Sequence, residues 1–422
     1  MAGVVRARVA LVAAVVAVEA ALWLGPRLES ARAGPTAFDL ELQALDRNIA
    51  VAEHVPDGQR DVPQTSRLAY LLYQRGSLAE RPDDFRRVRG LLEQARQQAG
   101  PLPEVRLLEA TLDLRVHQLE AARTAIDEFP DLAENVDAEM IAADIDLQRG
   151  EYDSAQRGYE RAAGQHRTWA SLARLAFLTA RRGDVSAADG LYARAEDELT
   201  AKEMRHYAWV ELQRGQLQFS RGRYAEARAH YDLAERAYSG YWLIDEYRAE
   251  LLGAERRFSE AIALYDRAIA RAPRPDLLQQ LGDLYLFMGK PADAQRWHDA
   301  ALDGYLASAG RGEVQFLHHL AGFYADVAGN AAEAVKRARQ DAALRPGYAA
   351  DDTLAWALYR NANIAEATIA LERALASKMV DAHLYYHAAR IKAAAGDAEA
   401  ARKWTTALHD LNPNYADFHV HR

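Results

Sequence analysis

The residues with the most obvious potential for chemistry are histidines near the C-terminus. Eight of the 13 histidines lie from His298 onward, and His383 and His387 are four residues apart. Side chains at i and i+4 of a helix share one face, so this pair could supply two ligands of a zinc, copper or nickel site. His419 and His421 would add ligands if the tail folds back. The competing interpretation is that these are partly buried neutral histidines, and both interpretations stay open.

Signatures of catalysis are missing from the sequence. It contains no cysteine, so thiolate chemistry and disulfides are excluded. It also lacks the phosphate-binding motif G-x-x-x-x-G-K-[ST], a G-x-G-x-x-G after a strand, and the nucleophile turn G-x-S-x-G. Carboxylates are plentiful, but a solvated helical surface does not give them the burial that shifts a pKa. We therefore expect no enzymatic activity and no cofactor.

The composition fits a helical array that carries these side chains. Half of the 422 residues are hydrophobic, yet the mean hydropathy is −0.33, and the 13 prolines lie at candidate helix boundaries or in the N-terminal region. The formal net charge of −9 argues against a general nucleic-acid binder, which needs a basic face for phosphate contacts. We expect an all-helical protein with no nucleic-acid partner.

Residues 1–34 read as a targeting segment. Arg6 and Arg8 precede an apolar run from Val9 to Leu24, and an A-x-A triplet ends at Ala33. This order is typical of a secretory signal. The alternative is an uncleaved membrane anchor, although Glu19 in the run would be costly in a bilayer. Either interpretation predicts a periplasmic or otherwise extracytoplasmic protein, bound to the membrane through this segment if it is not cleaved.

The rest of the chain is organised by a sequence repeat. Its marker is an alanine that opens the packed face of a second helix, and successive markers are 33 to 40 residues apart. Six markers have a glycine five residues before them, where the first helix must end, and five have a tyrosine or histidine four residues after them. The nine markers are Ala122, Ala155, Ala188, Ala227, Ala261, Ala294, Ala334, Ala367 and Ala401.

The pattern is most complete in residues 278–301, LQQLGDLYLFMGKPADAQRWHDAA, where Gly282 and Ala294 let two helices approach and Tyr285 fills the space between them. This stretch resembles a tetratricopeptide (TPR) repeat, a two-helix unit of about 34 residues. The resemblance implies an all-α fold, a TPR α-solenoid whose helix-turn-helix repeats form a right-handed superhelix, and a role in protein–protein interaction. It extends to bacterial multi-TPR proteins with an N-terminal export segment.

These patterns divide the chain into four parts. Residues 1–34 are the signal or anchor, and residues 35–103 form a degenerate helical cap. Residues 104–415 form an array of about nine TPR repeats, and residues 416–422 are a C-terminal tail. An irregular first unit is expected because one face of a terminal repeat meets solvent.

The TPR resemblance also implies which residues face the concave side of the superhelix. The family's carboxylate clamp needs a lysine 15 residues before the marker, and none of the residues there is basic, Glu246 and Asp352 among them. The inward positions are instead acidic and aromatic, which would suit an extended or helical peptide with basic side chains. The predicted groove residues are Trp209, Phe219, Glu246, Glu250, Asp283, Phe323, Asp352, Trp356 and Tyr386.

Two functions follow from the sequence. The first is a non-enzymatic scaffold of the bacterial cell envelope that binds a protein or peptide, basic in character, in the concave groove. The second is a metal-handling or metalloprotein-maturation factor that uses His383 and His387. A third interpretation of the groove residues is that the aromatic rings pack between repeats and the carboxylates are merely solvated.

Overall fold

A computed structural model describes residues 34–129 and 134–420, and this part of the chain folds into helices without any strand. All but the last residue of the predicted signal or anchor segment lies outside the described residues. The helices are α1 (Ala37–Ala52), α2 (Val62–Ala79), α3 (Pro82–Ala99), α4 (Pro103–Arg115), α5 (Leu119–Asp127), α6 (Val136–Gln148), α7 (Tyr152–Gln165), α8 (Trp169–Arg181), α9 (Val185–Asp197), α10 (Met204–Phe219), α11 (Tyr224–Ala237), α12 (Trp242–Ala254), α13 (Phe258–Arg271), α14 (Pro275–Phe287), α15 (Pro291–Gly310), α16 (Leu317–Asp326), α17 (Ala331–Leu344), α18 (Tyr348–Arg360), α19 (Ile364–Ala376), α20 (Ala382–Ala394) and α21 (Ala398–Leu411).

From α2 onward the helices pack in consecutive pairs, α2 with α3 through to α20 with α21. Short turns join the two helices of each pair, so the partners run antiparallel. Each pair also packs on the next, as α18 does on α17 and on α20. The predicted TPR-type α-solenoid is therefore confirmed by the helix pairing itself. Among the described helices, none combines the length with the apolar character that crossing a bilayer requires.

A close approach of the two helices holds each pair together. The marker alanine of the second helix is buried in eight of the nine repeats, from Ala122 to Ala367. One turn later, the ring of Tyr231 covers Gly215 of the first helix, and the ring of His298 covers Gly282. Only a residue without a bulky side chain leaves room for such a ring.

Each first helix of the array ends in a left-handed residue five positions before the marker. Glycine occupies this position in six repeats, for example Gly150 at φ +77° and Gly183 at φ +94°. The repeats without glycine adopt the same conformation, with φ values of 60° at His117, 61° at Arg256 and 57° at Ala362. The geometry of the helix end is thus set by the repeat, at a steric cost of roughly 1–2 kcal/mol where the residue has a Cβ atom.

The solenoid coils tightly enough for residues about two hundred positions apart to touch. The Tyr348 amide donates to the Tyr152 hydroxyl at 2.8 Å across 196 residues. Val380 donates its amide to the Arg181 carbonyl at 2.7 Å. The Arg181 guanidinium also pairs with Asp381 at 2.6 Å across 200 residues. The turns that end early first helices therefore pack against the connections between late repeats.

We predict that Gly215→Ala destabilises the array by about 1–3 kcal/mol, the usual range for overpacking a core. A Cβ atom at residue 215 would lie 2.2 Å from the Tyr231 ring. Urea denaturation followed by circular dichroism measures the change. Gly190→Ala is the matched control, since a Cβ there meets nothing within 4 Å in α9. The control should stabilise by about 0.5–1 kcal/mol, and equal effects of the two substitutions would contradict the close-approach explanation.

Candidate partner-binding surface

All nine predicted groove residues lie on the first helices of their pairs, the helices that form the inner face of a TPR-type solenoid. Their immediate neighbours differ from one helix to the next along the coil. The helices that carry them are α10 (Trp209, Phe219), α12 (Glu246, Glu250), α14 (Asp283), α16 (Phe323), α18 (Asp352, Trp356) and α20 (Tyr386).

The aromatic members of this set pack largely against other side chains. Phe219, Phe323 and Trp356 are buried. The Trp356 ring stacks on His387 at 4.2 Å, and its Nε1 donates to Asp326 at 2.9 Å. The half-buried ring of Trp209 lies 6.2 Å from Trp169. These rings therefore contribute to the packing between neighbouring repeats.

Three of the four predicted carboxylates contact polar groups of the array. Asp283 Oδ1 lies 2.8 Å from His298 Nε2, within one repeat. Asp352 Oδ1 lies 2.9 Å from His387 Nδ1, in the next repeat. Glu246 accepts a bond of 2.9 Å from the Gln280 amide. A basic side chain of a partner would have to compete with these bonds.

Glu250 has a different kind of partner. Its Oε1 accepts a 2.8 Å hydrogen bond from the main-chain amide of Val420, near the C-terminus. The segment Asn412–Val420 has left the last helix and runs along the inner face, where Phe418 is only 2% exposed. Residues 416–420, the described part of the predicted tail, thus lie on the concave side of the coil.

The C-terminal segment forms one wall of a cavity of about 360 Å³. The opposite walls come from α8, α10, α12 and α20, and they include Phe219 and Glu250 from the predicted groove. Arg181, which pairs with Asp381, closes one side. This cavity lies where two successive turns of the coil meet.

A second cavity, of about 560 Å³, lies toward the N-terminal end of the inner face. Its lining is mostly apolar and aromatic, and it joins α2, α4, α6 and α8. Glu104 and Asp137 are exposed at its edge and form no ion pair within residues 34–129 and 134–420. Its main apolar and aromatic residues are Tyr70, Tyr73, Leu107, Leu108, Met140, Ile141 and Trp169.

The predicted histidine pair does not converge on one point. His387 contacts Asp352 and Trp356, whereas His383 Nδ1 lies 3.0 Å from the Tyr415 hydroxyl. The tail does fold back, and the His419 ring lies 5.0 Å from that of His383. In the part of the chain that the structure describes, no group of three His, Cys, Asp or Glu residues is arranged to hold a metal ion.

Burial changes the ionisation of the two glutamates on α12, contrary to the expectation that carboxylates of this array stay solvated. Burial raises the pKa of Glu250 to about 8, against a smaller lowering by the Val420 amide. Burial also raises the pKa of Glu246 to about 7, against the opposing effect of the Arg274 guanidinium. The side chains are four residues apart, so ionising both places two like charges on one helical face.

Sequence reasoning missed the C-terminal segment and the second cavity. The segment carries one signal that could have been used, a phenylalanine among polar residues at Phe418, after the last helix should have ended. The cavity depends on how α2 of the irregular cap and α4 of the first repeat turn toward α6. No local pattern in the sequence reports that rotation.

Comparison with known proteins finds similarity in solved structures alone, since no family model and no curated protein matches the chain. The crystal structure of yeast Tom70 is 15% identical over 88% of this chain and 89% of Tom70, with a TM-score of 0.40. The human IFIT1 dimer with PPP-AAAA is 12% identical over 87% of this chain and 94% of that chain, with a TM-score of 0.46. A tetratricopeptide repeat protein from Parabacteroides merdae is 19% identical over 59% of this chain and 94% of its own, with a TM-score of 0.36.

We predict that Glu250 makes the protein less stable as the pH rises. Its folded-state pKa of about 8 lies above the ordinary value of 4.5. The stabilisation that the neutral Glu250 side chain contributes is therefore complete below the ordinary pKa of 4.5, and it is lost as the pH rises through the folded-state pKa of about 8. Relative to Glu250→Gln, the wild-type free energy of unfolding should fall by up to about 1.4 kcal/mol per pH unit between those values.

Urea titrations at several pH values between 5 and 8.5 test this prediction. The control is Glu226→Gln, which changes an exposed carboxylate in the first turn of α11. It should leave the difference from wild type constant over the whole range. A constant difference for Glu250→Gln as well would show that Glu250 ionises freely in the folded protein.

Proposed function

We propose that this protein is a non-enzymatic scaffold that binds a partner protein on the concave face of its helical coil. We place it at the bacterial cell envelope, exported or anchored by residues 1–34, on the sequence pattern of that segment alone. The groove would take an extended or helical peptide that carries both basic and apolar side chains.

The observation that carries this proposal is the cavity of about 560 Å³ on the inner face between α2 and α8. Such a volume accommodates one or two side chains of a bound peptide. Tyr70 is 54% exposed at this cavity, so its ring is accessible to a side chain that enters the cavity. An apolar side chain entering here would be desolvated by Tyr70, Leu107 and Ile141.

The negative charge at the edge of the cavity favours a partner with positively charged side chains. Glu104 and Asp137 are exposed carboxylates that form no ion pair within the described ranges. The Arg174 guanidinium in the same lining also attracts Asp137, but it is paired with Asp144. A lysine or arginine beside an apolar anchor would complement both the rim and the lining. The formal net charge of −9 would assist the approach of such a partner at low salt.

The nine residues predicted from the sequence remain the proposed lining of the C-terminal part of the same face. A partner that binds there would have to break hydrogen bonds that these residues already make within the array. Asp283 would have to leave His298, and Asp352 would have to leave His387. Initial recognition is therefore assigned to the N-terminal cavity, where the carboxylates are available.

We predict that the double variant Glu104→Lys, Asp137→Lys captures at least about tenfold less of the partner than the wild type. Two reversed charges remove two favourable contacts and add repulsion, and tenfold corresponds to about 1.4 kcal/mol. The measurement is affinity capture from native envelope fractions, quantified by mass spectrometry and repeated at increasing salt.

The matched control carries the same charge change on second helices. Glu160 on α7 and Glu226 on α11 are both exposed, so Glu160→Lys, Glu226→Lys should capture the partner as the wild type does. All proteins should show the same helical circular dichroism. Equal capture by the two double variants would rule out recognition at the N-terminal cavity.

A further inference from the structure

The C-terminal segment Asn412–Val420 is bound on the inner face as a peptide ligand would be. It is held at both ends by hydrogen bonds to earlier repeats. The Asn414 side-chain amide donates to the Gly222 carbonyl at 2.9 Å, across 192 residues. The Tyr224 hydroxyl donates to Asp417 at 3.1 Å, and Val420 donates its main-chain amide to Glu250.

Between these bonds, Phe418 inserts into a shaped apolar pocket. Its ring lies 5.6 Å from that of Phe287 on α14. The floor of the pocket is Gly253 on α12, where a Cβ atom would come within 2.5 Å of the Phe418 ring and 3.1 Å of Leu284. The missing side chain at residue 253 therefore creates the space that the ring fills.

The bond to Glu250 takes the place of a bond found inside other repeats. In three other repeats, the residue eleven positions before the marker alanine lies within hydrogen-bond distance of the ring four positions after that alanine. These residues are Asp144, Gln216 and Asp283. The three pairs are Tyr159 with Asp144 at 2.7 Å, Tyr231 with Gln216 at 3.2 Å and His298 with Asp283 at 2.8 Å. Glu250 and Tyr265 occupy the same two positions in the repeat marked by Ala261.

The repeat marked by Ala261 lacks this hydrogen bond while the C-terminal segment is bound. Glu250 Oε1 accepts from Val420, and the buried Tyr265 hydroxyl has no hydrogen-bond partner within the described residues. A buried hydroxyl without a partner destabilises the folded state, because it has lost its bonds to water without replacing them. Once the segment has left, a Tyr265–Glu250 hydrogen bond like those of the other repeats would offset part of the lost contact with Val420.

We propose that Asn412–Val420 is a tethered ligand of a peptide site on the concave face. A partner takes this site by displacing the segment with an extended peptide of its own, which places an aromatic side chain over Gly253. The inference rests on the proposed function, in which the concave face binds a partner, and it specifies the chemistry of the second part of that face. The tether acts as a competitor at an effective concentration of order millimolar.

A labelled peptide with the sequence of residues 411–420, LNPNYADFHV, tests the proposal by fluorescence anisotropy. It should bind the full-length Phe418→Ala variant at least tenfold more tightly than the wild type, because the tethered competitor has lost its anchor. A peptide with alanine in place of its phenylalanine should bind neither protein.

Gly253→Val is the matched control on the receiving side. It also expels Phe418, but it fills the pocket, so the peptide should not bind to it. Failure of the intact peptide to bind Phe418→Ala, with helical circular dichroism retained, would overturn the proposal. Equal binding to Gly253→Val and Phe418→Ala would overturn it too, since the contact would then lie elsewhere.

Hydrogen exchange of the wild type provides a test that needs no variant. The hydrogen-bonded amides of Tyr415, Asp417 and Val420 should exchange at least tenfold faster than those of α12, because the segment opens without unfolding of the array. Exchange of both at the same rate would show that the segment is a fixed part of the fold. Capture that depends on Glu104 and Asp137 is measured at the other cavity, so either proposal can fail while the other stands.

Discussion

The structure depends on the close approach of the two helices in each pair, where buried marker alanines and, in two repeats, a glycine beneath a ring keep the helices close together. Gly215 under Tyr231 and Gly282 under His298 show how little space is left. The approach brings the residue that follows the glycine within reach of the ring's polar atom, so Asp283 pairs with His298 inside its own repeat. A carboxylate that sequence spacing places on the concave face is thereby bonded within the helix pair.

The fold could be predicted because its determinants are local. The marker alanines and the residue five positions before them recur in the sequence, and the left-handed turn persists at Arg256 and Ala362, where glycine is absent. The site could not be predicted to the same extent. Glu250 and Asp283 hold the same register position, yet one bonds to Val420 and the other to His298. That difference arises from a coil contact across 170 residues, which accumulates from small rotations between repeats.

The two ends of the concave face consequently differ in what they can bind. The N-terminal cavity carries two exposed carboxylates and an exposed ring, so the partner proposed there would not have to displace a hydrogen bond of Glu104 or Asp137. The C-terminal part is already occupied by Phe418 and its hydrogen-bonded neighbours. A partner that contacts both parts would bind the first directly and the second by exchange. Binding at the N-terminal cavity would come first, because only the C-terminal part requires existing contacts to be broken.

Glu250 connects this exchange to protonation. Burial in α12 favours its neutral form, whereas the hydrogen bond from Val420 favours the carboxylate. Through that bond, ionisation of Glu250 and attachment of the C-terminal segment support each other, because a charged acceptor strengthens an amide hydrogen bond. The Tyr265 hydroxyl is a second donor near the same carboxylate, at the register position where Tyr159 and His298 bond to Asp144 and Asp283. In the proposed exchange, Tyr265 would donate to Glu250 when Val420 withdraws, so the carboxylate would keep a hydrogen-bond partner in both states.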